Sequence, residues 1–304
     1  MDRTIVIGRR VADLREVMRR EHLGACLLFD ADPHFSEHVP DHWKSCEWIS
    51  GLCDSGAVAV VTQEQAALWC DRRRIADAQF PDTVFQLMDA NAHGAPTVAQ
   101  WLGEQLTRPK AYTEVAVDGS TCSASSVERL ITELRREGGL TLRTNFDALQ
   151  QIWADRPPVP QSSIGLLPSE NRGKNCREKL SEIRASLRKK HADGMLVARL
   201  DDIAWTLNLG GTEMGTAPFF QGYLLIDSKQ ATFFVNRQAL SSSVIDYMRQ
   251  ESVVLDDYER VGQGLKEYFE YNILADPEEI CYTLFKKITR AIVRESSPIS
   301  ILRR

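Results

Sequence analysis

The first half of the chain alternates amphipathic segments with short apolar runs. In the segment 9–22, apolar residues recur every three to four positions and share one helical face (Val11, Leu14, Val17 and Met18). Two short apolar runs joined by a polar turn are typical of paired strands. The pattern predicts helices at 9–22, 97–106 and 125–136, and strands at 25–29, 57–61 and 67–70.

The same alternation restarts in the second half. It predicts helices at 177–190, 241–250 and 279–290, and strands at 194–198, 222–227 and 231–235. Between the halves lies the proline-rich segment 153–160, which cannot continue a helix. Because helices and strands alternate on both sides of this segment, we expect an α/β fold with helices covering a mixed sheet in each half.

The two halves also repeat one unit of sequence. Residues 14–28 align with 183–197 without a gap at an offset of 183 − 14 = 169, which pairs His22 with His191. The chain has 304 residues, enough for two domains of about 150 residues each. We therefore expect two domains of one type at 1–158 and 159–295. Residues 296–304 begin an apolar and basic segment and are expected to lead into a further domain.

Composition and charge narrow the possible partners. A net charge of −5 and a pI near 5.8 argue against a nucleic-acid binder, which needs a basic face. The sequence has neither an apolar run long enough to span a membrane nor a signal-peptide pattern at its start. Seven cysteines without a Cys-x-x-Cys pair favour the reducing cytoplasm.

Three histidines spaced four residues apart form the most suggestive metal-like pattern. His34, His38 and His42 would share one face of a continuous helix and could then hold zinc. Pro40 argues against that helix, because it removes a backbone donor. We therefore expect a polar loop after a strand here.

Two glycine-rich segments and one pair of carboxylates have simpler interpretations. The segments 51–56 and 210–215 lack the phosphate-binding and nucleophile motifs and are expected to be tight turns. Asp201 and Asp202 are neighbours that point in different directions on a helix, so a shared acid–base role is not expected. Asp201 is instead expected to cap the helix that follows it.

Arg73 is the candidate binding residue. It follows the strand at 67–70, and ligands of α/β proteins commonly lie at strand ends. Its guanidinium could bind a peptide carbonyl or a carboxylate. The alternative is a surface arginine within a basic triplet, or one paired with Asp71 or Asp77.

Several motifs in combination resemble a known family. In the first half these are Asp32-Pro33-His34-x-Ser36-Glu37, Trp48-x-x-Gly51 and Leu68-Trp69-x-Asp71, followed by the boundary Ile152-Trp153-x-Asp155-Arg156-Pro157. In the second half they are Asp202-Ile203-Ala204-Trp205-x-x-Asn208-Leu209 and Ser297-Pro298-Ile299. Together they are similar to the amino-terminal half of the three-domain Xaa-Pro aminopeptidases, M24 metallopeptidases of the creatinase/prolidase family.

This resemblance implies a fold, an activity and a division of labour. The fold would be two tandem creatinase/prolidase N-terminal domains with a ribonuclease H-like motif. The full enzyme would be a homodimer that releases the first residue from peptides with proline second. Two manganese ions in a third, catalytic domain would activate the water. This chain would then hold no metal, cofactor or catalytic residue, and would restrict access to the site and support dimer assembly.

Arg73 occupies the position of the arginine with which this family reaches the peptide substrate. Here Arg72 and Arg74 replace the usual glycine and tyrosine, and Asn208-Leu209-Gly210-Gly211 lacks a usual arginine. These departures suggest a diverged member with altered substrate preference. They also support an alternative, a stand-alone and catalytically inactive module of the same fold that binds peptides or proteins.

Overall fold

The computed structural model describes residues 3–52, 56–71, 84–107, 112–161, 163–211 and 220–303. By its internal contacts the chain divides into two compact units. The first comprises Met1–Asp32 and Asp41–Pro158, and the second comprises Pro33–Pro40 and Val159–Arg304. Each unit is built around its own hydrophobic core.

The first unit is a mixed sheet with helices packed on it. Its described helices are α1 (Arg3–Arg20), α2 (Ser45–Ser50), α3 (Val98–Leu106) and α4 (Ala124–Gly138), with a 3-10 turn at Asp41–Trp43. Its strands are β1 (Ala25–Phe29), β2 (Val58–Thr62), β3 (Ala66–Cys70), β4 (Gln86–Asp89), β5 (Glu114–Ala116) and β6 (Thr141–Arg143).

The strands of this sheet lie in the order β4-β3-β2-β1-β5-β6. The pairs β1–β2 and β2–β3 are antiparallel, with Leu27 opposite Val60 and Val60 opposite Ala67. β4, β5 and β6 join in parallel. The antiparallel centre is apolar on both faces, which fits strands that are covered by helices.

The second unit repeats this architecture. Its described helices are α5 (Cys176–Lys189), α6 (Leu200–Leu207), α7 (Ser242–Gln250), α8 (Val261–Glu267), α9 (Tyr282–Phe285) and α10 (Ile299–Leu302), with 3-10 turns at Ser169–Asn171, Arg237–Ala239 and Tyr258–Arg260. Its strands are β7 (Ile164–Leu166), β8 (Gly194–Val197), β9 (Leu209–Gly211), β10 (Tyr223–Ile226), β11 (Ala231–Val235), β12 (Val253–Asp257), β13 (Asn272–Leu274) and β14 (Ala291–Val293).

Its six-stranded sheet has the order β12-β11-β10-β8-β13-β14, which matches the first sheet strand for strand. The antiparallel and parallel pairings match as well. β7 and β9 form a separate antiparallel pair. The α/β fold with two mixed sheets, expected from the repeated sequence, is therefore confirmed.

One predicted helix and one predicted turn in this unit are wrong. The helix predicted at 279–290 is limited to α9, because the chain turns after Phe285 to bring β14 beside β13. The predicted tight turn at 210–215 begins instead as a strand, since Gly210 and Gly211 pair with β7; residues 212–215 lie outside the described ranges.

The helix α10 packs onto the second unit. Ile299 is fully buried in its core, and Leu302 packs against that core.

Among the described residues, no helix has both the length and the apolar character needed to cross a bilayer.

Candidate functional site

The segment 33–40 forms one wall of a cleft in the second unit. It is a loop between β1 and the 3-10 turn Asp41–Trp43, as the prolines at its two ends favour. Phe35 has a left-handed backbone with φ 53°, an unusual conformation for a bulky residue. The polar loop expected around the three histidines is therefore confirmed.

His34 fixes this loop to the second unit. Its Nδ1 lies 2.8 Å from the carbonyl oxygen of Ala198, and its Nε2 lies 2.9 Å from the Tyr258 hydroxyl. A carbonyl oxygen can only accept, so Nδ1 carries a proton. The imidazole also packs on Tyr223, with ring centres 4.4 Å apart. Because only 3% of its surface is exposed and both ring nitrogens are bonded, His34 holds the loop 33–40 in place on the rest of the second unit.

The cleft has a volume of ≈430 Å³ and a predominantly acidic lining. Its walls come from three places: the loop after β1, the start of α6 and the turn before α9. The lining residues are His34, Phe35, Ser36, Glu37, His38, Arg199, Leu200, Asp201, Glu278 and Glu279. Four carboxylates face a single arginine here, so the cleft attracts cationic groups.

Two arginines tie the carboxylates at the start of α6 together. Arg199 binds Asp201 with both arms of its guanidinium, at 3.1 and 3.0 Å, and its Nη1 lies 3.5 Å from Glu279. Nη1 of Arg303 donates to Asp201 at 2.5 Å and to Asp202 at 2.7 Å. The neighbouring aspartates thus converge on one guanidinium, although adjacent helical residues were expected to diverge.

The predicted cap at Asp201 is wrong. The helix begins at Leu200, its cap position is Arg199, and no side chain there accepts a capping hydrogen bond. Asp201 and Asp202 lie instead within the first turn of α6. Carboxylates in a first turn still interact favourably with the positive end of the helix dipole.

Burial and neighbouring charges shift the pKa values of these carboxyl groups in different directions. Burial raises the pKa of Glu279 to about 7, with Arg199 opposing and Asp276 adding to the shift. Burial also raises the pKa of Asp202. For Asp201 burial is outweighed by hydrogen bonds from Arg199 and Arg303, which lower its pKa. The cleft therefore holds one carboxyl group, Glu279, that changes charge near neutral pH.

The residues singled out in the sequence do not form one site. Arg73 lies outside the described residues. His38 is exposed at the cleft rim, whereas Nδ1 of His42 lies 2.6 Å from the carbonyl oxygen of Pro157 in the first unit. Within the described ranges, no group of three or more His, Cys, Asp or Glu side chains is arranged to hold a metal ion.

No local sequence pattern identified the other residues of the cleft. Arg199, Glu279 and Arg303 come together only through the tertiary fold. The one local signal was Arg199, which lies two residues before Asp201.

Comparison with known proteins covers both halves. A family model of the creatinase/prolidase N-terminal domain matches residues 10–145, and another of the same description matches residues 155–304. The probable Xaa-Pro aminopeptidase P of Botryotinia fuckeliana is 31% identical over 255 residues, 83% of this chain and 38% of that protein. Xaa-Pro aminopeptidase 2 of Rattus norvegicus is 30% identical over 274 residues, 87% of this chain and 40% of that protein.

A solved structure shares the fold across nearly the whole chain. The X-prolyl aminopeptidase of Caenorhabditis elegans, described as a cytosolic enzyme with a di-nuclear active site, matches with a TM-score of 0.88. The match has 22% identity and covers 97% of this chain and 50% of that one. The chain thus spans about two fifths of the length of the curated relatives it matches.

Proposed function

Because this chain belongs to the creatinase/prolidase N-terminal domain family, we propose that it forms the two amino-terminal domains of an Xaa-Pro aminopeptidase. The observation that carries the proposal is that family models match both halves, while the similar curated proteins are longer Xaa-Pro aminopeptidases. The domains would be 1–158 and 159–295, with 296–304 leading onward. The enzyme would release the first residue from peptides with proline second.

In this proposal the chain itself is non-catalytic. Two divalent metal ions, which we propose to be manganese, would activate a water for attack on the peptide bond. They would be held in a catalytic domain outside this chain. A di-nuclear site in the solved enzyme of similar fold supports this arrangement.

The two domains would control which peptides reach that site and would support a homodimer. The acidic cleft of the second unit supports the first role. Its lining has four carboxylates and a single arginine, so the cleft presents a net negative field, and Arg199 and Arg303 hold Asp201 in place. Such a field attracts cationic parts of a peptide and disfavours acidic ones.

Arg73 is proposed to contact the peptide substrate. It follows β3, and a guanidinium at a strand end can donate two parallel hydrogen bonds to a carboxylate, or donate to a peptide carbonyl. In the enzyme that contains this chain, Arg73→Ala is expected to raise KM for an Xaa-Pro peptide about tenfold. Arg72→Ala and Arg74→Ala are the matched controls, and an equal rise in all three would contradict a specific contact.

The non-catalytic role is tested with the purified chain. Incubated with MnCl₂ and the peptide Arg-Pro-Pro, it is expected to release no free arginine, whereas manganese-dependent release would contradict the proposal. Sedimentation velocity over a range of concentrations tests the homodimer.

We also propose that the protein is located in the cytoplasm. The six described cysteines are buried free thiols, which supports a reducing compartment.

The alternative, a stand-alone binding module, draws on the altered loops around Arg73 and Gly210. Reading the encoding message past the codon for Arg304 separates the two. A continuation with spaced Asp, His and Glu ligands supports the aminopeptidase, whereas a stop codon together with peptide capture by the purified chain supports the module.

A further inference from the structure

We propose that the outer edge of β14 binds an extended, acidic segment of a partner polypeptide by adding a strand to the sheet. The proposed surface comprises β14, the basic residues just before it and two exposed aromatic residues before β13. The proposal rests on the geometry and charge of the second unit and not on the proposed peptidase function.

The backbone of β14 offers an open edge. β14 is the last strand of its sheet, and among the described strands it pairs only with β13. The N–H of Ala291 donates to the carbonyl of Tyr271, and the carbonyl of Val293 accepts from Ala275, so both residues face β13. Because backbone groups alternate along a strand, the N–H and C=O of Ile292 point outward. Such an edge is a template for another strand.

Basic residues lie close to this edge along the chain, and Arg290 directly precedes β14. Residues 280–294 contain no Asp or Glu but include Lys286, Lys287, Arg290 and Arg294. In the part of the chain that the structure describes, Lys286, Lys287 and Arg290 form no ion pair with a carboxylate. Nε of Arg290 donates to the Tyr268 carbonyl at 2.9 Å, which leaves its two terminal nitrogens to bind a carboxylate.

Exposed aromatic surface lies beside these bases. Tyr271 is 86% exposed and Phe269 is 66% exposed, the two largest values among the exposed aromatic residues of the described chain. Tyr271 directly precedes β13 and bonds to Ala291, so it is next to Arg290 on the neighbouring strand. Exposed aromatic groups at a charged edge supply apolar contact area to a docked segment.

The charges favour a different polypeptide over a second copy of this chain. Two β14 edges paired together would bring their bases face to face, which is destabilising. The opposite edge strand, β12, does carry acidic residues. However, Asp256 and Asp257 already pair with Arg237, at 3.6 and 3.1 Å, and Asp256 also pairs with Arg260. An acidic segment from another protein would not repel the bases beside β14, and its carboxylates would not already be paired with arginines.

The test uses the full chain and two labelled peptides, one of alternating Glu and Val and one with Lys in place of each Glu. We expect fluorescence anisotropy to report binding of the acidic peptide only, weakening as NaCl rises from about 50 to about 300 mM. Hydrogen exchange should slow at 290–294 when that peptide is bound. Equal binding of both peptides, or protection elsewhere, would overturn the proposal.

Two kinds of variant locate the interaction. Ile292→Pro removes the outward N–H and keeps the ladder to β13, while the double variant Lys287→Glu/Arg290→Glu reverses the charge. Each is expected to weaken binding of the acidic peptide by about tenfold or more. Lys229→Glu, on the exposed turn between β10 and β11, is the matched control and should bind as the parent does. Circular dichroism verifies folding, and the charge variant stands alone if Ile292→Pro does not fold.

Two results would refute the strand-addition model. Retained affinity in the folded charge variant would show that the bases do not contact the peptide. Concentration-dependent dimerisation that the same substitutions abolish would assign this edge to a second copy of the chain.

Discussion

Lys179 is almost fully buried in the second unit, with 2% of its surface exposed. Its Nζ donates to the Trp205 carbonyl at 2.7 Å and to Oδ1 of Asn208 at 2.6 Å, and lies 4.5 Å from the centre of the Trp205 ring. Both acceptors lie at the negative end of the α6 dipole. These neutral partners offset only part of the cost of burying an ammonium group, and burial lowers the pKa of Lys179 to about 8.

This lowered pKa predicts a rise in stability at alkaline pH. Below pH 8 the lysine is charged in both the folded and the unfolded chain, and the full cost of burial applies. Between about pH 8 and 10.5 only the unfolded chain keeps the proton, so the free energy of unfolding should increase, by at most about 3 kcal/mol. Burial raises the pKa of the thiols of Cys26, Cys46 and Cys176, which lowers the stability over the same range. Urea unfolding at several pH values should therefore show the rise as a growing advantage of the parent over Lys179→Met.

The control for this experiment is Lys189→Met, on the exposed end of the same helix. It should keep the alkaline rise of the parent. The loss of that rise in both variants would show that another group causes it.

The pKa of Glu279 is raised, and its effect on the pH dependence of stability is opposite to that of Lys179. Its folded pKa of about 7 lies above the ordinary 4.5, so the folded chain holds the extra proton between these values. The free energy of unfolding should therefore fall as pH rises from about 4.5 to 7. Glu279→Gln should show a smaller fall, since Asp30, whose pKa burial raises to about 6, still contributes, whereas Glu278→Gln, at its exposed neighbour, should keep the fall of the parent. Parallel pH profiles for both variants and the parent would contradict the assignment.

At the scale of elements, α1 and α5 end in the same way. His22 and His191 both have a left-handed backbone, with φ 57° and 56°. Each N–H bonds to the carbonyl three residues earlier, and the following N–H reaches five residues back, from Leu23 to Met18 and from Ala192 to Leu187. This is the Schellman arrangement, which normally uses glycine. The sequence repeat at an offset of 169 thus reproduces a helix ending.

A substitution at these two positions separates backbone strain from side-chain contacts. His191→Gly should raise the free energy of unfolding by about 0.5–1 kcal/mol, because glycine adopts this conformation without strain. In the first unit Nδ1 of His22 lies 3.1 Å from the Tyr112 hydroxyl, and the two rings pack edge to face. His22→Gly loses that contact and should gain less. Thermal unfolding measures both, and equal gains would contradict a role for Tyr112.

Elements with a local sequence pattern could be predicted from the sequence alone. The helix predicted at 97–106 and the strand pair β2–β3 follow from residues close in the chain, and both are confirmed. The short parallel strands β5, β6, β13 and β14 escaped prediction, because three residues carry no period and the pairing partners are distant. The same limit explains the failed helix at 279–290, where pairing of β14 with β13 overrides apolar residues at helical spacing.

The cleft was less predictable than the fold. Motif positions identified the loop that contains His34, but the opposite wall depends on ion pairs between residues far apart in sequence, such as Arg303 with Asp202. No periodicity or spacing encodes such pairs.

At the scale of the whole molecule, His34 lies early in the chain but stabilises the second unit. His34→Ala removes both ring hydrogen bonds and leaves a buried gap beside Tyr223, so it should lower the stability of that unit by about 2–4 kcal/mol. Hydrogen exchange should speed up in β10 and much less in β1–β3. The control His38→Ala, an exposed position in the same loop, should change little; similar effects of both would contradict the anchoring role.

The place of residues 33–40 also limits how such proteins can be recombined. A chimera that exchanges only 159–304 for the corresponding part of a relative would pair a foreign second unit with the original loop and its His34. A graft of the complete second unit would need two separate gene segments, one that encodes residues 33–40 and one that encodes residues 159–304. Transfer of the second unit as a single block is therefore disfavoured.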